Sequence, residues 1–486
     1  MTAPSSPSAF VSSVCDLTAH EQLDLLTAGE ASARELLAAH VERIEAVNPS
    51  VNAIVAIDRS VAEARASAVD EARANGYTVG PLAGLVTAHK DLTDTADFVT
   101  CYGSPLHEGH RPAADSLLVS RMKAAGAVAL GKTNTPELGA GSHTFNPVYG
   151  MTKNPWDLGR SAGGSSGGAA VALATGMVAI ADGSDMGGSL RNPAAWNNVV
   201  GFRASPSAVP SVGAGVSRAT FGVEGAMGRT VADLALLLRV IGEPDLRDPL
   251  SRDFGLSVVP TPVDRPLRVA YSPTVGGLPV EAGVADVVEA FVERVGGLGW
   301  TVEAAEPDFS GADEAFEVIR SYLFANGKLA DYADRIGETK ATIQEEFRRG
   351  RAQTGADVAA AHTHLGVLWR RAVEFFSGFD LLIAPVTQVS PFAIELEYPT
   401  SVDGVECERY IDWMRSVCRV TTLGMPALSL PAGFDPDGLP VGVQLVGGPH
   451  RDADVLRAAL TLEQQLPNER RVPTILARSA APNPQN

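Results

Sequence analysis

The run SAGGSSGGAAVALATGMVAIADGSDMGGSLR, residues 161–191, passes from loop to helix to strand to loop within one short span. Ser161 to Gly168 reads as a Gly/Ser loop, and an Ala-rich helix follows it to Gly176. The apolar Met177 to Ala181 then reads as a strand, and Gly183 to Ser189 as a second Gly/Ser loop. A helix and a strand of this size, joined by glycines, form the repeating unit of a layered α/β domain. The same alternation recurs on both sides. Ser32 to Glu35 is a capping box for a helix carrying Leu36, Leu37, Val41 and Ile44, which should end near Asn48-Pro49. A further helix is expected over Ser60 to Asn75, and a turn and buried strand over Pro81 to Lys90. Asp115 should cap a helix through Ala125, with Gly126 ending it and Ala127 to Leu130 forming a strand.

Thr230 to Ile241 is one more helix, and Asp245 to Pro266, rich in Pro and Asp, is a connection. Strand and helix units resume at Leu267 to Tyr271. Asp313 to Phe376 reads as long, charged and mostly helical. Strands are expected at Asp380 to Ala384, Ala427 to Leu430 and Val441 to Val446, and a last helix at Ala453 to Gln465. The expected architecture is a three-layer α/β/α single domain around a central mixed β-sheet, over residues 1–478, with 479–486 a disordered tail.

Composition narrows the function. The 486 residues carry 45% apolar and 20% charged side chains, the balance of a globular protein, with a formal net charge of −18. That acidity argues against a nucleic-acid groove or an anionic membrane as partner. Cys15, Cys101, Cys407 and Cys418 lack metal-ligand spacing, so neither a disulfide framework nor a zinc site is expected. Met1 to Ser13 does not read as a secretory signal, and Gly167 to Ala181 is too short for a bilayer span, so a cytoplasmic protein is expected.

Two motifs match familiar patterns in the wrong setting. Gly126 to Thr133 satisfies G-x-x-x-x-G-K-T, but a phosphate loop follows a strand and opens a helix, whereas here a helix precedes and the middle of the motif reads as strand. Gly163 to Gly167 satisfies G-x-S-x-G, yet that elbow needs a strand before it, and Asn154 to Arg160 is a loop. His362, His364 and His450 offer no setting for a partner base. With no histidine in a suitable setting, a lysine base is the simplest alternative. Only six of the 39 basic residues are lysines, and Lys90 ends an apolar strand-like run. Arginine keeps its proton in a protein; a desolvated lysine can release it. A neutral lysine could activate a serine through a second hydroxyl, and Gly-Gly pairs before Ser165 and Ser189 free backbone amides to face an oxyanion.

Ala88-His89-Lys90-Asp91, Gly131 to Asn134, Gly163 to Gly168 and Asp185-Met186-Gly187-Gly188-Ser189-Leu190-Arg191 together resemble the amidase signature family. The likeness is strongest from about 82 to 203 and continues in Gly225 to Val231 and Gly438 to Gln444. It implies a metal-independent and cofactor-independent hydrolase of a small-molecule amide. Ser189 would be the nucleophile, Ser165 a bridging serine after a cis peptide bond, and Lys90 the base. The amides of Met186, Gly187, Gly188 and Ser189 would form the oxyanion hole, with Asp185 and Arg191 as supports. The family likeness also places Gly139, Ala140 and Gly141 near the acyl pocket, assigns the pocket's cover to the region from about 267 to 478, and makes a homodimer an expectation. Lys132 is read as structural. Aryl anilides, carbamates or esters would suit the same triad. The rival within the family is a glutamyl-tRNA amidotransferase-type subunit, which works with a partner chain. Ser184, Ala226 and Phe202-Arg203-Ala204-Ser205 stand where threonine, proline and Leu-Lys-Pro-Thr are usual, which leaves the substrate open.

Overall fold

The structure is a computed structural model that describes residues 14–212, 219–466 and 471–479. A small sheet is built from β1 (Ile54–Val55), β2 (Val86–Lys90) and β3 (Val128–Thr133), in the order β1-β3-β2 with β2 parallel to β3. The large sheet takes β4 (Ala181–Asp185), β5 (Val200–Arg203), β6 (Val223–Gly228), β7 (Arg268–Tyr271), β8 (Thr301–Ala304), β9 (Leu381–Pro385), β10 (Ala427–Phe434) and β11 (Pro440–Gly447). Its spatial order is β8-β7-β9-β11-β10-β5-β6-β4, parallel from β8 to β9 and antiparallel beyond. The sheet is mixed, as expected.

Its layers follow from side-chain alternation. Leu381 and Ile383 in β9 pack with Val288 and Phe291 of the helix Ala282–Gly297 and with Val455 of the helix Asp452–Gln465. Leu382 and Ala384 point the other way, to Leu368 and Ala372 of the helix Gly355–Phe375 and Val420 of the helix Arg415–Leu423. A strand buried on both faces cannot slip by one residue without exchanging the two apolar sets, so burial fixes its register. Helices therefore cover both faces, giving the three layers. Among the described residues no helix is long and apolar enough to cross a membrane.

Several boundaries differ from the sequence reading. The strand expected at Met177 to Ala181 starts at Ala181 and takes in Gly183-Ser184-Asp185, which read as loop. Gly183 is there because a Cβ would stand 2.7 Å from Leu190 Cδ2 and 2.8 Å from Ser166 Oγ. A glycine can mark close approach as well as a turn. Met177 to Ile180 is instead a buried connection that ties the two sheets: Ala179 N donates to Val86 O (2.9 Å), and Thr87 Oγ1 to Ile180 O (2.9 Å). The capping box at Ser32 is formed, but its helix runs on through Pro49 to Val51. Ser116 rather than Asp115 caps the helix Leu117–Ala124, because Asp115 is held by Lys123 at 2.6 Å. Residues 313–376 break into the helices Ala312–Leu323, Ala341–Ala352 and Gly355–Phe375, with a π-helical stretch (Phe324–Lys328) and a 3₁₀ stretch (Ala330–Glu338) between the first two. The tail expected after Arg478 lies outside the described residues, apart from Ser479, which closes a short helix.

Candidate active site

Lys90 is the last residue of β2 and is fully buried. Its Nζ lies 2.8 Å from Ser165 Oγ, 2.8 Å from Ser166 Oγ and 3.1 Å from Ser184 Oγ. Ser165 stands in the turn before the helix Gly167–Ala174, and the Gly164–Ser165 peptide bond is cis. Ser189 sits between β4 and the helix Arg191–Asn197, and its carbonyl accepts from Ser166 N at 3.2 Å, which ties the two Gly/Ser loops together. Ser165 and Ser189 both line one cleft of about 620 Å³. Among the described residues no hydrogen bond joins their hydroxyls: Ser165 Oγ contacts the Lys90 amine, and Ser189 shares with Ser165 only access to the cleft.

The amides around Ser189 divide unevenly. Gly188 N donates to Asp185 Oδ1 at 3.0 Å, which removes it from the four N–H groups expected to face an oxyanion. Those of Met186, Gly187 and Ser189 have no acceptor among the described residues. Gly188 must be glycine: its φ is +92°, and a Cβ would stand 2.4 Å from Val417 Cγ2.

Asp185 organises this turn. Its carboxylate also accepts from Leu190 N (3.2 Å) and from Arg191 through Nε and Nη2 (3.1 Å each), and Arg203 Nη1 reaches both its carbonyl (2.7 Å) and Oδ1 (3.4 Å). All three charged side chains are fully buried. Burial alone would raise the Asp185 carboxyl, but the two guanidinium charges outweigh it and hold the group well below the carboxylate range. Asp185→Ala would leave both arginines in the interior without their counter-charge, at a cost of about 3–5 kcal/mol. The expected result is a large drop in the urea midpoint, with activity lost through the displaced loop. Because the folded-state value is depressed, this stabilisation is present above the unfolded carboxyl's titration and is lost as pH falls through the lower folded value.

The three residues expected near the acyl pocket sit differently. Gly139 lines the cleft beside Leu138, but Ala140 is buried against Phe324, Leu329 and Ile343, and a Cβ on Gly141 would meet Lys340 Nζ and Pro136. Leu323, Phe324, Gly327, Asp331 and Tyr332 supply part of the lining. The remaining wall is acidic: Asp94, Glu224 and Asp331 line it. Burial, with Asp182 and Asp94 adding repulsion, pushes the Glu224 carboxyl up to about 7. Lys132 lies elsewhere, with Nζ donating to Thr93 O (2.5 Å) and Thr95 Oγ1 (2.9 Å), and Gly131-Lys132-Thr133 belongs to β3, so no phosphate cradle forms.

Comparison with known proteins shows the family. The family model described as Amidase matches residues 35–456. The chain belongs to the amidase family. It is 34% identical to an acylamidase of Rhodococcus erythropolis over 93% of this chain and 96% of that one. It is also 34% identical to a component of the glutamyl-tRNA(Gln) amidotransferase of Moorella thermoacetica, over 94% and 98% respectively. The crystal structure of a bacterial aryl acylamidase of the amidase signature family superposes with a TM-score of 0.87 at 27% identity, covering 96% of this chain and 99% of that one. This amidase is thus a hydrolase acting on amides.

Sequence reasoning missed four contributors in this amidase. Ser166 and Ser184 contact the Lys90 amine, Arg203 completes the Asp185 cluster, and Asp182 fixes the end of β2 by accepting from Lys90 N (3.2 Å) while contacting His89 Nδ1 (2.7 Å). Arg203 lies in one of the noted departures from the family pattern, and that departure was its only signal.

Proposed function

We propose that this amidase cleaves a carboxylic amide through an acyl-enzyme on Ser189, with Lys90 as base and Ser165 as relay. The observation that carries this reading is the Lys90 amine 2.8 Å from Ser165 Oγ, beneath a cleft that Ser189 also lines. Burial costs the ammonium form more than the neutral amine, which favours a lysine able to accept a hydrogen. Ser165 passes its proton to Lys90 and takes one from Ser189, whose Oγ attacks the carbonyl carbon. The N–H groups of Met186, Gly187 and Ser189 hold the oxyanion. The C–N bond then breaks as the proton returns to the departing amine, and water releases the acid.

Hydrolysis of a free amide is preferred over amidation of a charged tRNA. The net charge of −18 gives no attraction to a polyanion. The test is a panel of aliphatic, aryl and anilide amides run with hydroxylamine as competing acceptor. Hydroxamate should form at the expense of acid, and mass spectrometry of quenched enzyme should place the acyl group on the Ser189 peptide. An acyl group on Ser165, or none on any serine, overturns the assignment.

A further inference from the structure

Glu224 lies in β6 directly opposite Ser184 in β4. Opposed residues on paired strands point to the same face. Since Ser184 Oγ is 3.1 Å from Lys90 Nζ, Glu224 is placed beside the proposed reacting centre. Among the described residues its carboxylate has no hydrogen bond or ion pair, although it is half-buried in the cleft wall. Asp94 lines the same cleft, and its carboxylate accepts from Tyr102 Oη at 2.6 Å. No arginine or lysine side chain is among the described residues lining this wall, and the one other buried acid there, Asp185, is neutralised by Arg191 and Arg203. Three rings line the same cleft, that of Tyr102 beside Asp94: Tyr102 and His107 with centroids 4.7 Å apart, and His107 and Tyr332 at 5.2 Å.

We propose that the cleft selects amides whose acyl chain carries a protonated amino group, which Glu224 and Asp94 receive beside the Tyr102 and Tyr332 rings. The inference rests on Ser189 being the nucleophile of this cleft. A carboxylate partly withdrawn from water without a partner is unfavourable, and an ammonium ion entering the cleft supplies a counter-charge to Glu224 and to the more exposed Asp94. That the Glu224 carboxyl is raised in its absence is the same imbalance seen from the other side. Aromatic faces add attraction for a desolvated cation. An anionic acyl chain meets like charge at the same place, so the arrangement rejects as well as attracts.

The test uses the full chain and ω-amino carboxamides of increasing length, each beside its isosteric alkyl carboxamide and its ω-carboxy counterpart. At the best-fitting length kcat/KM should favour the cation over the neutral isostere by about tenfold or more, and the margin should shrink as salt is raised. Glu224→Gln should reduce that cation-to-neutral ratio by about tenfold, and Asp94→Asn by less, whatever happens to the absolute rates. Calorimetric binding of the same pairs to Ser189→Ala gives the ratio without turnover. Equal binding and turnover of cation and neutral amide at every length overturns the inference while leaving the nucleophile intact. A preference that survives in the Glu224→Gln, Asp94→Asn double variant also overturns it. Hydrolysis persisting in Ser189→Ala instead overturns the mechanism, and the binding ratio then still decides the charge selection.

Discussion

Ser189→Ala should lose about 10⁴-fold or more of its amide turnover while folding as the wild type does. Removing the nucleophile of an acyl-transfer enzyme deletes the covalent route itself, and measured losses for such groups reach about 10⁶. What remains would be catalysis by the oxyanion amides and by binding, since the N–H groups of Met186 and Gly187 are unaffected by the substitution. Folding should hardly change. The Ser189 side chain is half-buried and its hydroxyl makes no hydrogen bond among the described residues, whereas its carbonyl, which accepts from Ser166 N, is retained in alanine. A thermal midpoint close to wild type, beside an activity near background, separates loss of chemistry from loss of structure. Turnover surviving at more than a few per cent would mean that another hydroxyl attacks, with Ser165 the first to examine.

The parts of this molecule that were legible in its sequence are those with local causes. The capping box at Ser32 and the helices over 231–241 and 452–465 follow from residues within a turn or two of one another. Strands were found where apolar residues bury both faces, as at β9 and β11, but their ends were set by partners far along the chain. β4 is the instructive case. Gly183 and Ser184 have the composition of a loop, and only the approach of Leu190 and Ser166 explains why a strand there must be so small. The site divides in the same way. Lys90, Ser165 and Ser189 carry motif spacing, and the fold sets Ser165 on the Lys90 amine and in one cleft with Ser189. Arg203 reaches Asp185 across eighteen residues, and Glu224 reaches the cleft through strand pairing, so neither is visible without the sheet order. Gly188 shows the limit of reasoning from a motif alone. The Gly-Gly pair predicts mobile amides facing one point, but one of them is taken by a carboxylate three residues earlier.

Lys90→Ala should be nearly as damaging to turnover as loss of the nucleophile, and Lys90→Arg should restore almost none of it. The pair distinguishes proton acceptance from charge. Arginine keeps a cation in the pocket but cannot give up its proton, so it cannot receive one from Ser165. If Lys90 served only to hold the two Gly/Ser loops together through Ser165, Ser166 and Ser184, arginine, as a donor to the same oxygens, should recover part of the activity. Alanine carries a structural cost as well. It strips three hydroxyls of a partner in a buried site, at about 1–3 kcal/mol for each left unsatisfied, so its thermal midpoint should fall where that of Ser189→Ala does not. Two readouts escape this cost. Small primary amines added to Lys90→Ala should return part of the rate by occupying the vacated space, with efficiency rising as more of the amine is unprotonated. In the wild type, the rate should climb from acid toward mildly alkaline pH, because a protonated amine cannot accept the Ser165 hydrogen. Ser165→Ala should be impaired less completely, since a water in its place could still bridge Lys90 and Ser189. A flat profile over that pH range, or a Lys90→Arg variant as active as the wild type, would remove lysine from the proton route and leave it a structural clamp.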